Sequence, residues 1–397
     1  MRKVTPAHLQ EVIGSIQSFG FCDPPLIDAN NRILDGVTRV EAAKRLGLPL
    51  IQCVRVDHLD PQELRLFRMA INRLGEKGQW ELGELKTELS ELIADGIAID
   101  TSGFTPAEID QIIIDDACDL EETDELIPNL ERDPVAKPGD LFVLGRHRIL
   151  CGDATNPESY QRLIRGLSAS LVLTDPPYNV PIAGHVTKGA HREFVMASGE
   201  MSETEFATFN EAWISGATQQ LVDGGILASF IDWRGYPSIH DAARKAALQQ
   251  INLVVWSKTN GGLGSLYRSQ HELIPFFKKG NAPHTNNVEL GKNGRWRSNV
   301  WNYPGASSLG SESRKGLEFH PTVKPVAMLE DAILDVTKRD DVILDPFMGS
   351  GSTLIAAEKT GRRCRAIELD PLYVDLTIKR FEILTGQSAA LEKANEH

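Results

Sequence analysis

The stretch "VILDPFMGSGSTLIAAEKTGRRCRAIELD" (342–370) limits the fold of this chain more than any other. An apolar run reaches Asp345, and a turn follows that holds Gly349 and Gly351. A helical pattern starts at about Ser352, and a second apolar run ends at Glu368 and Asp370. Strand, tight turn, helix and strand in that order make the two strands parallel, because parallel neighbours need a crossover of helix length. Six more strand candidates precede the unit: "LFVLG", "HRILCGD", "SLVLTD", "GILASFI", "LVVWSK" and "ELIPFFKK". Helical stretches separate many of them. The pattern predicts an α/β, Rossmann-like, mainly parallel sheet with helices on both faces. Ligands of such sheets sit at the carboxyl ends of the strands. Four strand candidates end in an acid there or run straight into one: Asp153, Asp175, Asp345 and Asp370, with Glu368 two residues before the last. The 342–370 turn has no G-K-[ST] and no full G-x-G-x-x-G. The acid at the end of its second strand suits a ribose diol. The helix start suits a carboxylate or phosphate.

The 397 residues give room for two or three domains. No apolar run approaches the ~18 residues of a membrane span, and "MRKVTPAHLQ" is no secretory signal, so a cytoplasmic protein is expected. The five cysteines never form C-x-x-C, which argues against a zinc site or a disulfide framework; no metal is expected. Net charge is −13, but unevenly spread. Residues 1–132 carry 13 basic and 25 acidic side chains, while 256–325 carry ten and four. An acidic protein can thus present one basic face to phosphates. The acidic, then Pro- and Gly-bearing stretch 114–140 reads as an exposed linker. The predicted domains are 1–118, a linker 119–137, and 138–390.

Ahead of the linker, "PAHLQEVIGSIQSFG" is helical, "PLIDANNRILDG" reads as two short strands around an Asn-Asn turn, and "TRVEAAKRLGL" is a helix. "IQCVRV" is another strand, and helices follow at about 61–74 and 81–95. Through "SIQSFGFCDPPLID", "ILDGVTRVEAAKRLGL" and "FRMAINRLGEKGQWE" this part resembles the small α+β ParB-like domain, over roughly residues 5–115. The resemblance implies a phosphate-meeting turn at Gly36 and Arg39. The plainer reading pairs Arg39 with a local acid, Asp35 or Glu41.

"LVLTDPPYNV" (171–180) runs a strand into Asp175, Pro176, Pro177 and Tyr178. With "DPFMGSGST" (345–353), "HPTVKP" (320–325) and "VWSKTNGGLGSLYRSQHELIPFFKKG" (255–280), it makes four motifs in one order. On these, residues 138–386 resemble the amino-methylating, S-adenosylmethionine-dependent DNA methyltransferases in their circularly permuted, beta-class arrangement. The resemblance implies transfer of a methyl group to the exocyclic N-6 amine of a flipped-out adenine in double-stranded DNA. Three other readings stay open: an N-4 cytosine methyltransferase, an RNA-directed enzyme, and a ParB-like DNA-binding protein with an inactive methyltransferase domain. A homodimer and a cognate restriction enzyme are compatible with it; no membrane partner is implied.

The chemistry needs that motif for a reason. A base amine is a poor nucleophile because its lone pair is delocalised. Two acceptors, Asp175 and the carbonyl of Pro176, draw the amine towards sp³. Proline's fixed φ aims that carbonyl, and Tyr178 can stack on the base. The resemblance further implies Glu368 at the ribose and Asp153 at the cofactor's adenine. It implies Thr322 and Lys324 near the methionine carboxylate, with Asp345, Phe347, Gly349, Gly351 and Thr353 lining the pocket. Asp153 as a helix-capping turn acid and Lys324 as an exposed side chain are the plainer readings. Residues 281–319 are expected to recognise the target. Arg295, Trp296 and Arg297, together with Arg268, are the expected DNA contacts; the alternative packs Trp296 inward.

Overall fold

The computed structural model describes residues 4–74, 80–97, 99, 101–114, 134–179, 199–259, 261, 266–288, 295–305 and 323–392. The chain divides into two compact units, Met1–Asp116 and Ala117–His397.

The first unit runs α1 (Pro6–Phe19), β1 (Leu26–Asp28), β2 (Ile33–Asp35), α2 (Val37–Arg45), β3 (Val54–Val56), α3 (Pro61–Leu74), α4 (Leu82–Ala94) and α5 (Pro106–Ile114). Strand order is β2-β1-β3, with β1 antiparallel to β2 and parallel to β3. The hairpin turns where expected: Asp28 accepts from the amides of Asn30 and Arg32, and Asn31 takes a positive φ of 62°. Thr5 caps α1, with Pro6 at its first position. The sequence reading did not anticipate α5.

The second unit is a three-layer α/β/α sandwich. Its strands and helices follow as β4 (Leu141–Leu144), β5 (His147–Cys151), α6 (Pro157–Ile164), β6 (Ala169–Thr174), α7 (Glu203–Gln220) and β7 (Leu221–Ser229). Next come α8 (Tyr236–Lys245), β8 (Leu248–Ser257), β9 (His271–Lys279), β10 (Val300–Asn302), α9 (Val326–Val336) and β11 (Val342–Asp345). The chain closes with α10 (Ser352–Lys359), β12 (Arg363–Glu368), α11 (Pro371–Thr385) and β13 (Ala390–Leu391). All eight strand candidates are strands. The order in the ten-stranded sheet is β10-β8-β9-β7-β6-β11-β12-β5-β4-β13. The central β7-β6-β11-β12-β5 block is parallel throughout; β9, β4 and β13 run against their neighbours.

Period-two alternation sends side chains to two cores. Leu171, Leu173, Ile226, Ala228 and Ile343 pack on one face, against α9, α10 and α11. Val172, Leu227 and Leu344 pack on the other, against α6, α7 and α8. Strands buried on both faces read as continuous apolar runs, which is why they were legible in sequence. From β6 the chain crosses through α7 to β7 on one side. From β11 it crosses through α10 to β12 on the other. The order of the sheet therefore reverses between β6 and β11, and a crevice opens outside the carboxyl ends of those two strands.

Candidate active site

Asp175 follows β6 and Asp345 ends β11, so the two acids meet at this crevice. Thr174 joins them: its hydroxyl donates to Asp345 at 2.6 Å. Asp345 is buried and also accepts from the Phe347 amide at 3.1 Å. Burial raises its pKa to about 6, against the hydrogen bonds from Thr174, Thr353 and Phe347. Past Asp345 the loop turns through Gly349 and Gly351, at φ of 55° and 91°. A β-carbon at Gly351 would stand 2.8 Å from the Thr377 hydroxyl, so the turn closes on α11 only without a side chain. Glu368, at the end of β12, reaches back to this loop. It accepts from the Gly349 amide and from the Asp370 amide, each at 2.8 Å. Burial pushes its pKa up to about 7. Asp370 itself caps α11 through the Leu372 amide. Phe347 stands edge-on to Trp213, with ring centroids 5.5 Å apart.

The second group surrounds the D-P-P-Y turn. Tyr178 donates to Asp175 Oδ1 at 2.7 Å and also lies 3.0 Å from Glu272 Oε2. Lys324 Nζ lies 2.6 Å from Asp175 Oδ2 and 3.3 Å from Glu272. Lys258 Nζ takes the other oxygen of Glu272 at 2.5 Å. The Lys324 ammonium also faces the rings of Phe230, Tyr178 and Trp256 at 5.1–5.8 Å. Burial raises the Asp175 pKa; Lys324 opposes this and Glu272 adds to it. Burial also acts on Glu272, but two ammonium groups outweigh it and hold that pKa down to about 2. The two carboxylates in turn hold Lys324 charged despite its burial.

Several sequence expectations are corrected here. Lys324 is buried, so its reading as an exposed side chain falls. Expected near the methionine carboxylate, it pairs with Asp175 of the D-P-P-Y turn. Thr322 lies outside the described residues. Asp153 accepts from the amide and hydroxyl of Thr155, while Asn156 caps the following helix; Asp153 is a turn acid but no cap. Arg295 and Arg297 do not project to solvent. Both are clamped to Asp331 and Asp335 of α9, and Arg297 also donates to the Tyr303 hydroxyl. Asp335 lies at the end of α9 that leads into the amino end of β11, away from the crevice. Trp296 does not pack inward: it is 81% exposed. Arg268 is exposed beside Leu266 and Tyr267, in the loop after β8, whose carboxyl end lies along the crevice edge.

Glu272 and Lys258 escaped the sequence reading. The available signal was an acid inside "ELIPFFKK", a run otherwise apolar at its start. In the first unit Gly36 has a φ of 89° and opens α2. Arg39 is held by Asp35 at 2.7 Å and by Asp23, so the plainer reading of that arginine is the one seen. No described group of acidic, histidine and cysteine side chains could hold a metal ion, and no described helix is long and apolar enough to cross a membrane.

A strand-end acid beside a glycine turn, with a D-P-P-Y turn on the neighbouring strand end at a switch point, is a place where a nucleotide-type cofactor can sit. Comparison with known proteins narrows this. Residues 169–379 match the DNA methylase family model, and residues 83–138 match the ParB-methyltransferase HTH domain. The second match includes α4 and α5 and starts well inside the stretch read as ParB-like from sequence. The Type II methyltransferase M2.MboI of Moraxella bovis is 29% identical over 229 residues, covering 55% of this chain and 82% of that protein. M2.DpnII of Streptococcus pneumoniae is 30% identical over 227 residues, covering 54% and 83%. Among solved structures, the M1.HpyAVI–SAM complex matches 58% of this chain at 23% identity and a TM-score of 0.45, over 97% of its own length. The cytosine-N4-specific PvuII DNA methyltransferase matches 64% at 17% identity and a TM-score of 0.47, over 98% of its own length. The chain belongs to the DNA methylase family. It is a DNA methyltransferase, with a segment that matches the ParB-methyltransferase HTH domain.

The residues present fit the expected cofactor, S-adenosylmethionine. The turn at Gly349–Gly351 admits close approach of a ligand to the backbone, and Glu368 offers a carboxylate for a ribose diol beside it.

Proposed function

We propose that the enzyme methylates the exocyclic N-6 amine of an adenine turned out of duplex DNA. One observation carries the reading: the Thr174–Asp345 hydrogen bond ties the base-handling turn and the cofactor turn to neighbouring strand ends. Bound there, S-adenosylmethionine supplies an electrophilic sulfonium methyl. Asp175 and the Pro176 carbonyl accept the two N–H bonds of the amine and free its lone pair for in-line attack. Pro177 holds the turn, and the ring of Tyr178 stacks on the flipped base. Glu368 accepts from the ribose, and Asp345, Phe347, Gly349, Gly351 and Thr353 shape the pocket, with Asp153 at its adenine end. An aspartate in the first position of the motif favours adenine over cytosine.

DNA lies along the crevice edge, where Arg268, Tyr267, Leu266 and Trp233 are exposed. The N-terminal unit acts as a specificity or regulatory module and takes no part in the chemistry. Sequencing DNA from expressing cells, with a readout for N-6 methyladenine and N-4 methylcytosine, tests the proposal. Adenine marks at one short motif support it. Cytosine marks, or none from a soluble, cofactor-binding protein, overturn it.

A further inference from the structure

The oxygens that the base amine needs are already occupied. Asp175 accepts from Tyr178 at one oxygen and from Lys324 at the other. A target amine needs an acceptor lone pair on Asp175 aimed at the base, and an ammonium at 2.6 Å competes for it. Lys324 cannot simply withdraw to water, because it is buried among three aromatic rings. Glu272 offers the second place. Its near oxygen stands 3.3 Å from the same ammonium, so a movement of well under a bond length transfers the lysine from one carboxylate to the other. Lys258, bound to the far oxygen, keeps Glu272 ionised and in place.

Resting on the methyltransferase reading, we propose that Glu272 is a positioning residue of this reaction: it receives Lys324 when the target amine takes its place on Asp175. The hydroxyl of Tyr178 follows the same exchange. It has one proton and two carboxylates within reach, so it can favour Asp175 before the exchange and Glu272 after it. No covalent step is involved. The buried charges stay balanced as two carboxylates and two ammoniums.

Glu272→Gln removes the receiving charge and keeps the shape. Its turnover number should fall about 100-fold, the scale of one lost transition-state interaction. Cofactor affinity by calorimetry should stay within a few-fold of wild type. Duplex carrying 2-aminopurine next to the target adenine should still bind, with a weaker fluorescence rise, because the flipped adenine finds Asp175 still occupied. Adding Lys324→Met should restore part of the lost rate, because it removes the ammonium that otherwise stays on Asp175. If Glu272→Gln is insoluble, Glu272→Gln with Lys258→Met keeps the buried charge balanced and serves the same comparison.

Wild-type turnover in Glu272→Gln overturns the proposal. So does a folded, cofactor-binding Glu272→Gln, Lys324→Met protein that is no faster than Glu272→Gln alone. A wild-type enzyme that binds cofactor and DNA but marks no adenine overturns the adenine reading instead.

Discussion

Asp345 and Glu368 hold the 345–351 turn together and carry raised pKa values, about 6 and about 7, each through burial. A carboxyl group raised by folding favours the folded state while protonated. Its contribution is full below the ordinary carboxylate pKa of 4.5 for Glu368 and is lost as pH rises through about 7. The cofactor-free enzyme should therefore lose stability between about pH 4 and 7 on account of these two groups. Glu368→Gln should flatten that slope in thermal melts taken across the range, and an unchanged slope would separate the burial of Glu368 from its protonation. If ribose hydroxyls bind the ionised form, cofactor affinity should rise over the same interval with release of a proton, which calorimetry in two buffers detects. A residue of this kind is legible in sequence as an acid at a strand end. Its pKa is not, because burial beneath the 349–351 turn comes only with the fold.

At the scale of elements, the parallel strands were readable because each is an apolar run closed by a turn. β10 and β13 were not, having three and two residues. The segment 295–297 shows why alternation alone misleads. Basic, aromatic, basic reads as a nucleic-acid strip, yet the basic side chains turn inward to two aspartates one helical turn apart on α9. Those partners lie over thirty residues on, so no local pattern connects them. Arg297 is 16% exposed and Asp335 9%. Arg297→Met should destabilise the catalytic unit by about 1–3 kcal/mol, because Asp331 and Asp335 keep Arg295 but lose the bonds from Arg297. The salt dependence of DNA binding should not change in the same variant. A slope lower by about one would put this arginine on a phosphate. Glu272 and Lys258 were missed for a related reason: their meeting depends on the antiparallel register that sets Trp256 opposite Glu272.

For the whole molecule, the joint between units decides what can be separated. Residues 119–137 read as linker, but its last residues are fastened to the catalytic unit. Ala136 is buried, and the amides of Val135 and Ala136 both donate to Asp375. A fragment starting at residue 131 should fold, bind S-adenosylmethionine and transfer methyl groups. A start at residue 138 should cost about 1–3 kcal/mol, from the unpaired Asp375 and the lost plug. Chemical denaturation of the two fragments checks this. A folded, cofactor-binding 131–397 fragment with no transfer activity would mean that the N-terminal unit contributes to the substrate site.

A division of labour between the two turns, base on one and cofactor on the other, is open to one direct experiment. Wild type and Asp175→Ala are each incubated with unmethylated duplex and S-adenosylmethionine carrying a labelled methyl group. The DNA is then digested to nucleosides and resolved by mass, with cofactor binding measured on the same samples. Wild type should yield labelled N-6 methyldeoxyadenosine. Asp175→Ala should yield none, with cofactor affinity within a few-fold of wild type. Labelled N-4 methyldeoxycytidine, or a folded Asp175→Ala protein that has lost its cofactor, would contradict these assignments.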